Sequence, residues 1–159
     1  MGTRVRHELV YDGVSVDDVR QMLMTPAFRE AVCDAQRHML GREVTVDGAT
    51  ITVDQRQDAG SIPSFAKKFV GAELQIVQQE TWEGPSGRIS VTIPGKPGNI
   101  TGTAELRQDG DRVVETVDLD VEVGIPLVGG KIAKLIAEKL QKTLEVEQRT
   151  GRDWLATHA

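Results

Sequence analysis

The residues best suited to acid–base or hydrogen-bonding chemistry in this 159-residue chain are polar groups set on otherwise apolar faces. Along residues 73 to 83, the strand alternation that turns Leu74, Ile76 and Trp82 inward carries Gln78 and Glu80 with them. Along residues 112 to 123, Glu115 shares a face with Val113, Val117 and Leu119, and near the N-terminus His7 and Tyr11 share that of Val5 and Leu9. Taking each residue of the last helix as a turn of about 100° puts Glu147 on the apolar arc, in direction between Ile136 and Leu140, with Lys139 close by. A mainly aliphatic concave surface with a few polar groups is the usual lining of a small-molecule site. A carboxylate inside it would be desolvated, its pKa raised, and so made available for proton transfer near neutrality. Each of these residues also has a plainer reading. The strand residues could lie near strand ends, where the face has reached solvent, and Glu147 could mark a point where the helix overhangs the sheet.

Other chemistries find less support. The histidines are His7, His38 and His158, and no His/Cys/Asp cluster has zinc or iron spacing, so neither a metal nor a cofactor is expected. The single cysteine, Cys33, has no base set beside it in the sequence and reads as a small buried hydrophobe rather than a nucleophile. There is no Gly-x-Ser-x-Gly motif. Gly124, Gly129 and Gly130 flank a helix start and could cradle an anion, but their spacing is neither a P-loop nor a dinucleotide pattern, and a close approach of helix to sheet is the simpler use.

These residues need elements to position them, and composition sets the scale. Hydrophobic residues make up 39% and charged residues 27%, with a formal net charge of −5. One domain over residues 4 to 156 is expected. The acidic balance argues against nucleic acid as a partner. No segment has the length of a membrane span, and residues 1 to 10 lack the apolar core of a signal peptide, so a cytoplasmic protein without stable membrane insertion is expected. Nothing in the sequence sets the oligomeric state.

Alternation over residues 4 to 11 predicts a first strand, ended by Asp12 and Gly13. Ser15 is placed to cap a helix over residues 16 to 24, and Pro26 to open a second that runs to Leu40 and is closed by Gly41. Val44 and Val46 then form a short strand, Asp47-Gly48 a hairpin turn, and Ile51 and Val53 the return strand. Residues 61 to 71 carry Ile62, Phe65, Phe69 and Val70 at helical spacings, with Lys67 and Lys68 facing away. This segment is either core packing or a lid over a cavity mouth. Strands follow over residues 73 to 83, 88 to 93, 100 to 108 and 112 to 123. A long helix from Lys131 to Trp154 comes last, with Ile132, Leu135, Ile136, Leu140, Leu144 and Trp154 on its apolar arc. The order is strand, two helices, a meander of six strands and a long helix, which is α+β with helices against one face of an antiparallel sheet.

This order, together with the junction Val123-Gly124-Ile125-Pro126-Leu127-Val128-Gly129-Gly130-Lys131, resembles the START-like superfamily, also called the Bet v 1-like or polyketide cyclase and lipid-transport (SRPBCC) superfamily. Within it the chain is most similar to a bacterial domain family of unknown function. The resemblance covers residues 5 to 155. It implies a helix-grip fold, in which a curved antiparallel sheet wraps the C-terminal helix and a hydrophobic tunnel lies between them. The superfamily includes lipid carriers, hormone receptors, aromatase/cyclases and hydrolases, so it speaks for the fold more than for any chemistry.

Taken together, these features lead to an expectation of binding or transport of a hydrophobic small molecule or lipid without catalysis. The candidate lining is His7, Tyr11, Phe65, Phe69, Gln78, Glu80, Trp82, Glu115, Val117, Leu119, Ile136, Leu140 and Glu147. The alternatives are a cyclase/aromatase- or hydratase-like enzyme using His7, Tyr11, Glu80 or Glu115 as proton-transfer groups, and an interaction module with an open groove.

Overall fold

The computed structural model describes residues 2–60 and 62–158, with the side chain of Val70 left out. Strand β1 (Thr3–Asp12) leads into helices α1 (Val16–Leu23) and α2 (Pro26–Asp34). Then come β2 (Met39–Asp47), β3 (Thr50–Asp58), α3 (Ser64–Val70), β4 (Glu73–Glu83), β5 (Ser86–Thr92), β6 (Gly98–Asp109), β7 (Arg112–Val123) and α4 (Gly129–His158). All seven strands form one antiparallel sheet in the order β1-β7-β6-β5-β4-β3-β2. Each strand from β2 to β7 pairs with its sequence neighbour, and β1 closes onto β7, so β1 and β2 are the edges.

Local chemistry accounts for the elements. At the start of α1, Ser15 Oγ accepts from the Asp18 amide while the Asp18 carboxylate accepts from the Ser15 amide, a reciprocal capping box. Pro26 sits in the first turn of α2, where its missing N–H has no intrahelical partner to lose. The β2–β3 hairpin turns on Gly48 and Ala49, one position later than Asp47-Gly48. Asp47 pairs with Thr50, and Gly48 takes φ +59 at the first central position.

Helix α2 is shorter than its apolar periodicity predicts. It ends at Asp34 with Ala35 as C-cap, and Met39, Leu40 and Gly41 belong to β2 rather than to the helix and its stop. Strand β3 is nine residues long and recruits a partner of equal length, and the His38 carbonyl accepts from the Asp58 amide to continue the pairing. That ladder outweighs the helical spacing of Met39 and Leu40.

Helix α4 rises about 45 Å over its 30 residues. It lies across β1 and β7 and touches α1 and α2. The core between these layers includes Leu9, Tyr11, Leu23, Phe28, Val117, Val121, Leu144 and Leu155. Phe28 of α2 meets Trp154 of α4 edge to face, centroids 5.8 Å apart. Two glycines permit the close approach. A Cβ on Gly129 would strike the Val123 carbonyl, and one on Gly151 would lie 2.7 Å from Tyr11 Cε1; Gly124 and Gly130 face open space.

Candidate functional site

A buried charge organises the interior. Helix α2 turns Phe28, Arg29, Val32 and Cys33 inward, and Arg29 is only 3% exposed. Each of its three guanidinium nitrogens is committed. Nε donates to the Leu23 carbonyl (2.7 Å), Nη2 to Glu80 Oε1 (2.7 Å) and Nη1 to Glu147 Oε1 (3.2 Å). Glu80 also accepts from Trp82 Nε1 at Oε1 (3.1 Å) and from Gln78 Nε2 at Oε2 (2.6 Å), so β4 supplies both the carboxylate and two of its donors. The cation on α2 thereby joins β4 to α4.

Glu115 lies beside this network without entering it. It is 2% exposed, it makes no hydrogen bond among the described residues, and its Oε1 is buried without a partner. One guanidinium cannot balance three carboxylates in a dry interior, so protons must make up the difference. Burial, reinforced by Glu147 and Glu80 against the opposing pull of Arg29, holds the Glu115 pKa well above the usual carboxylate range. Burial lifts Glu147 to about 7, with Arg29 resisting and Glu80 assisting. Burial works against the Arg29 cation, but Glu80 and Glu147 outweigh it and raise its pKa. Tyr11, whose hydroxyl is also buried and unpartnered, is raised well above its ordinary value by burial and then by Glu115 and Glu147.

Three adjoining spaces lead from the surface to these carboxyls. The outermost, about 320 Å³, lies between α3 and the first half of α4, bounded by Ile62, Ala66, Leu74, Ile93, Ile132 and Ile136. Leu74, Ile93, Ile136 and Lys139 also line a middle space of about 70 Å³, whose polar wall is Gln55, Gln57 and Gln78. Gln78, Val91, Leu140 and Thr143 are shared in turn with an inner space of about 30 Å³, where Glu80, Glu115, Val117, Leu119 and Glu147 converge. The inner space holds no more than one or two waters.

The candidate residues separate accordingly. Gln78, Glu80, Glu115, Val117, Leu119, Leu140 and Glu147 line the inner space, Ile136 the middle and outer ones, and Trp82 braces Glu80. The strand-end reading of Glu80 and Glu115 is wrong: both sit in mid-sheet, opposite Ile89 and Leu9. The overhang reading of Glu147 is wrong too, because Arg29 holds it inside. Tyr11 packs against Gly151 and does not line the inner space.

His7 lies apart, its Nδ1 2.6 Å from Gln141 Nε2 and its Nε2 buried without a partner. On α3 the inward residue is Ala66, whereas Phe65 is exposed and Phe69 half-buried with Lys68 Nζ 5.2 Å from its ring; neither phenylalanine lines the spaces. Ser61 and the side chain of Val70 lie outside the described residues. Arg29, Gln55 and Gln57 are the additions to the candidate set. Strand β3 carries the two glutamines on the face of Ile51 and Val53, and α2 carries Arg29 beside Phe28, Val32 and Cys33.

Cys33 is inert where it stands, since burial pushes its thiol up to about 11. Among the described residues no cluster of His, Cys, Asp and Glu is arranged to hold a metal, and no helix is long and apolar enough to cross a membrane.

The architecture recurs in solved structures. TTHA0849 from Thermus thermophilus matches over 99% of this chain and 100% of its own, at 18% identity and a TM-score of 0.68. Norcoclaurine synthase from Thalictrum flavum matches over 100% and 96%, at 15% identity and a TM-score of 0.65. The di-domain ARO/CYC StfQ from the steffimycin biosynthetic pathway matches over 96% of this chain and 51% of its own, at 12% identity and a TM-score of 0.66. At such identities the likeness establishes the fold, which is START-like, or Bet v 1-like. In sequence, the chain is 27% identical to Rv0481c of Mycobacterium tuberculosis, over 74% of this chain and 70% of that protein. The family model described as Protein of unknown function (DUF2505) matches residues 6–155, nearly the whole helix-grip unit and all of the buried Arg29 network, and the chain belongs to that family.

Proposed function

We propose that this protein binds a small, mainly apolar molecule between the sheet and α4, with the apolar body against Leu74, Ile93, Ile136 and Leu140 and the polar end toward Gln78 and Glu115. The observation that carries this reading is the run of three adjoining spaces, narrowing from about 320 Å³ at α3 to about 30 Å³ at the carboxyls. Its mouth is mainly apolar, with Lys139 and Lys142 among its lining, and its end is polar, as small-molecule sites are. The narrowing suits a small molecule better than a partner's helix. Together the outer and middle spaces reach the lower end of the ligand-pocket range, roughly 300 Å³. The single cysteine, buried and unreactive, suits a reducing cytoplasmic setting.

Nile red, an uncharged dye, tests the reading. Saturable binding with a blue-shifted emission is expected. It should be lost in Leu140→Trp, which fills the middle space, while that variant keeps the wild-type circular dichroism spectrum. Absence of saturable binding by folded protein would remove the proposal.

A second reading has one specific observation in its favour. Glu115 and Glu147 face the same space, and burial raises the pKa of both, Glu147 to about 7, the direction a general acid or base needs. In that case a bound ligand would exchange a proton alpha to its carbonyl with solvent deuterium faster in the wild type than in Glu115→Gln. Equal rates would leave binding alone.

A further inference from the structure

The chemistry of the inner space narrows the ligand class, and this step rests on the binding reading above. Glu115, itself 2% exposed, reaches the space from β7 as a carboxyl with an oxygen that no group among the described residues satisfies. A buried carboxyl with no donor to it is costly as an anion and far cheaper as the neutral acid, which then carries one O–H to give. Among the described residues no cation lines the inner space, and the charge of Arg29 behind it is already met by Glu80 and Glu147, so none is left over for an anionic head group. Glu80 already accepts from Arg29, Trp82 and Gln78 and, as a carboxylate, has no proton to offer a ligand oxygen. Glu147 faces the same space, and in its ionised form it would repel a second anion.

We infer that the inner end of the site recognises an uncharged oxygen, such as a ketone or ether oxygen, which accepts a hydrogen bond from the Glu115 carboxyl, and that it disfavours carboxylate lipids in that position. Lys139 and Lys142 line the outer space, so a carboxylate bound there would leave its tail, not its head, against Glu115. Such a ligand would be indifferent to removal of the carboxyl or helped by it. The position of the polar group is therefore readable by mutation.

The experiment is displacement of Nile red at pH 6.5 by four molecules of one chain length: 2-decanone, decane, decanoate and decylammonium. In the wild type 2-decanone should displace best. Glu115→Leu should weaken 2-decanone by roughly 3- to 10-fold, the worth of one hydrogen bond, and leave decane unchanged or tighter. Glu115→Gln, which keeps the shape and an N–H donor, should retain most of the 2-decanone affinity. That variant also guards against a folding defect in the first. The inference is overturned if decanoate or decylammonium binds as tightly as 2-decanone, or if Glu115→Leu leaves 2-decanone unaffected; in either case the binding reading stands. If the dye binds and none of the four displaces it, the inference falls alone; if the dye itself fails to bind, both fall.

Discussion

Arg29 Nη2 and Glu80 Oε1 stand 2.7 Å apart with both side chains almost wholly removed from water. The pair joins α2 to β4, and Glu147 extends it to α4. Removing one partner strands a buried charge, so Arg29→Ala and Glu80→Ala should each lower unfolding free energy by about 3–5 kcal/mol. The double variant Arg29→Met/Glu80→Gln should lose less than the sum. Urea denaturation of the four proteins measures both effects.

Stability should fall as pH rises. The folded protein keeps the Glu147 proton up to about pH 7, while an unfolded glutamate releases it near 4.5, and Glu115 is shifted in the same direction. Between those values the folded state binds more protons, so stability present below about 4.5 is lost as pH climbs through 7. Between pH 5 and 8 the loss should be roughly 1–3 kcal/mol. In Glu147→Gln the slope should flatten. Thermal melts across that range, at fixed ionic strength, would show a wrong sign at once.

Gly151→Ala should destabilise, although alanine is the better helix former by about 1 kcal/mol. The added methyl would sit 2.7 Å from Tyr11 Cε1 and 3.1 Å from Met22 Cε, forcing α4 off the sheet. A net cost of about 1–3 kcal/mol is expected, and differential scanning calorimetry reads it directly. A raised melting temperature would mean that Tyr11 yields easily.

Leu140→Ala should cost less than Leu9→Ala. Leu9 is fully buried in the core, where such a truncation removes about 2–5 kcal/mol. Leu140 is half-buried and borders the middle and inner spaces, so part of its surface has no packing partner to lose. The midpoint shift of the Leu140 variant should be less than half that of the Leu9 variant in urea.

Much of this arrangement was legible in the chain. The alternation of Val117, Leu119 and Val121, the run of apolar residues along α4 and the caps at Ser15 and Pro26 report local periods and local hydrogen bonds, and they appear in the structure where expected. Met39 and Leu40 misled because their helical spacing is equally good on an edge strand, and only the length of β3 decides between them. Glu80, Glu115 and Glu147 could be placed on apolar faces by period alone, but whether such a face is dry depends on what covers it. The cover is α2, and the cation it brings lies outside the period of any strand. An arginine beside Phe28, Val32 and Cys33, in a chain with three acids on apolar faces, is the signal that would have revealed the network. Which of Phe65 and Ala66 faces inward depends on how α3 docks, a matter no local pattern carries.

Strand β1 has a single strand neighbour, β7, and the Arg4–Asp118 pair that crosses between them spans 114 residues of chain. During synthesis at ~5–20 residues per second, β1 therefore waits roughly 6 to 23 seconds for its partner to be made. Throughout that interval Val5, Leu9 and Tyr11, which end up among the driest residues of the protein, have no sheet to join. The charges interleaved with them, Arg4, Arg6, Glu8 and Asp12, are of the kind that opposes aggregation of an exposed apolar strand. Their neutralisation should show first as poor yield from cells and only later, if at all, as a lower melting temperature.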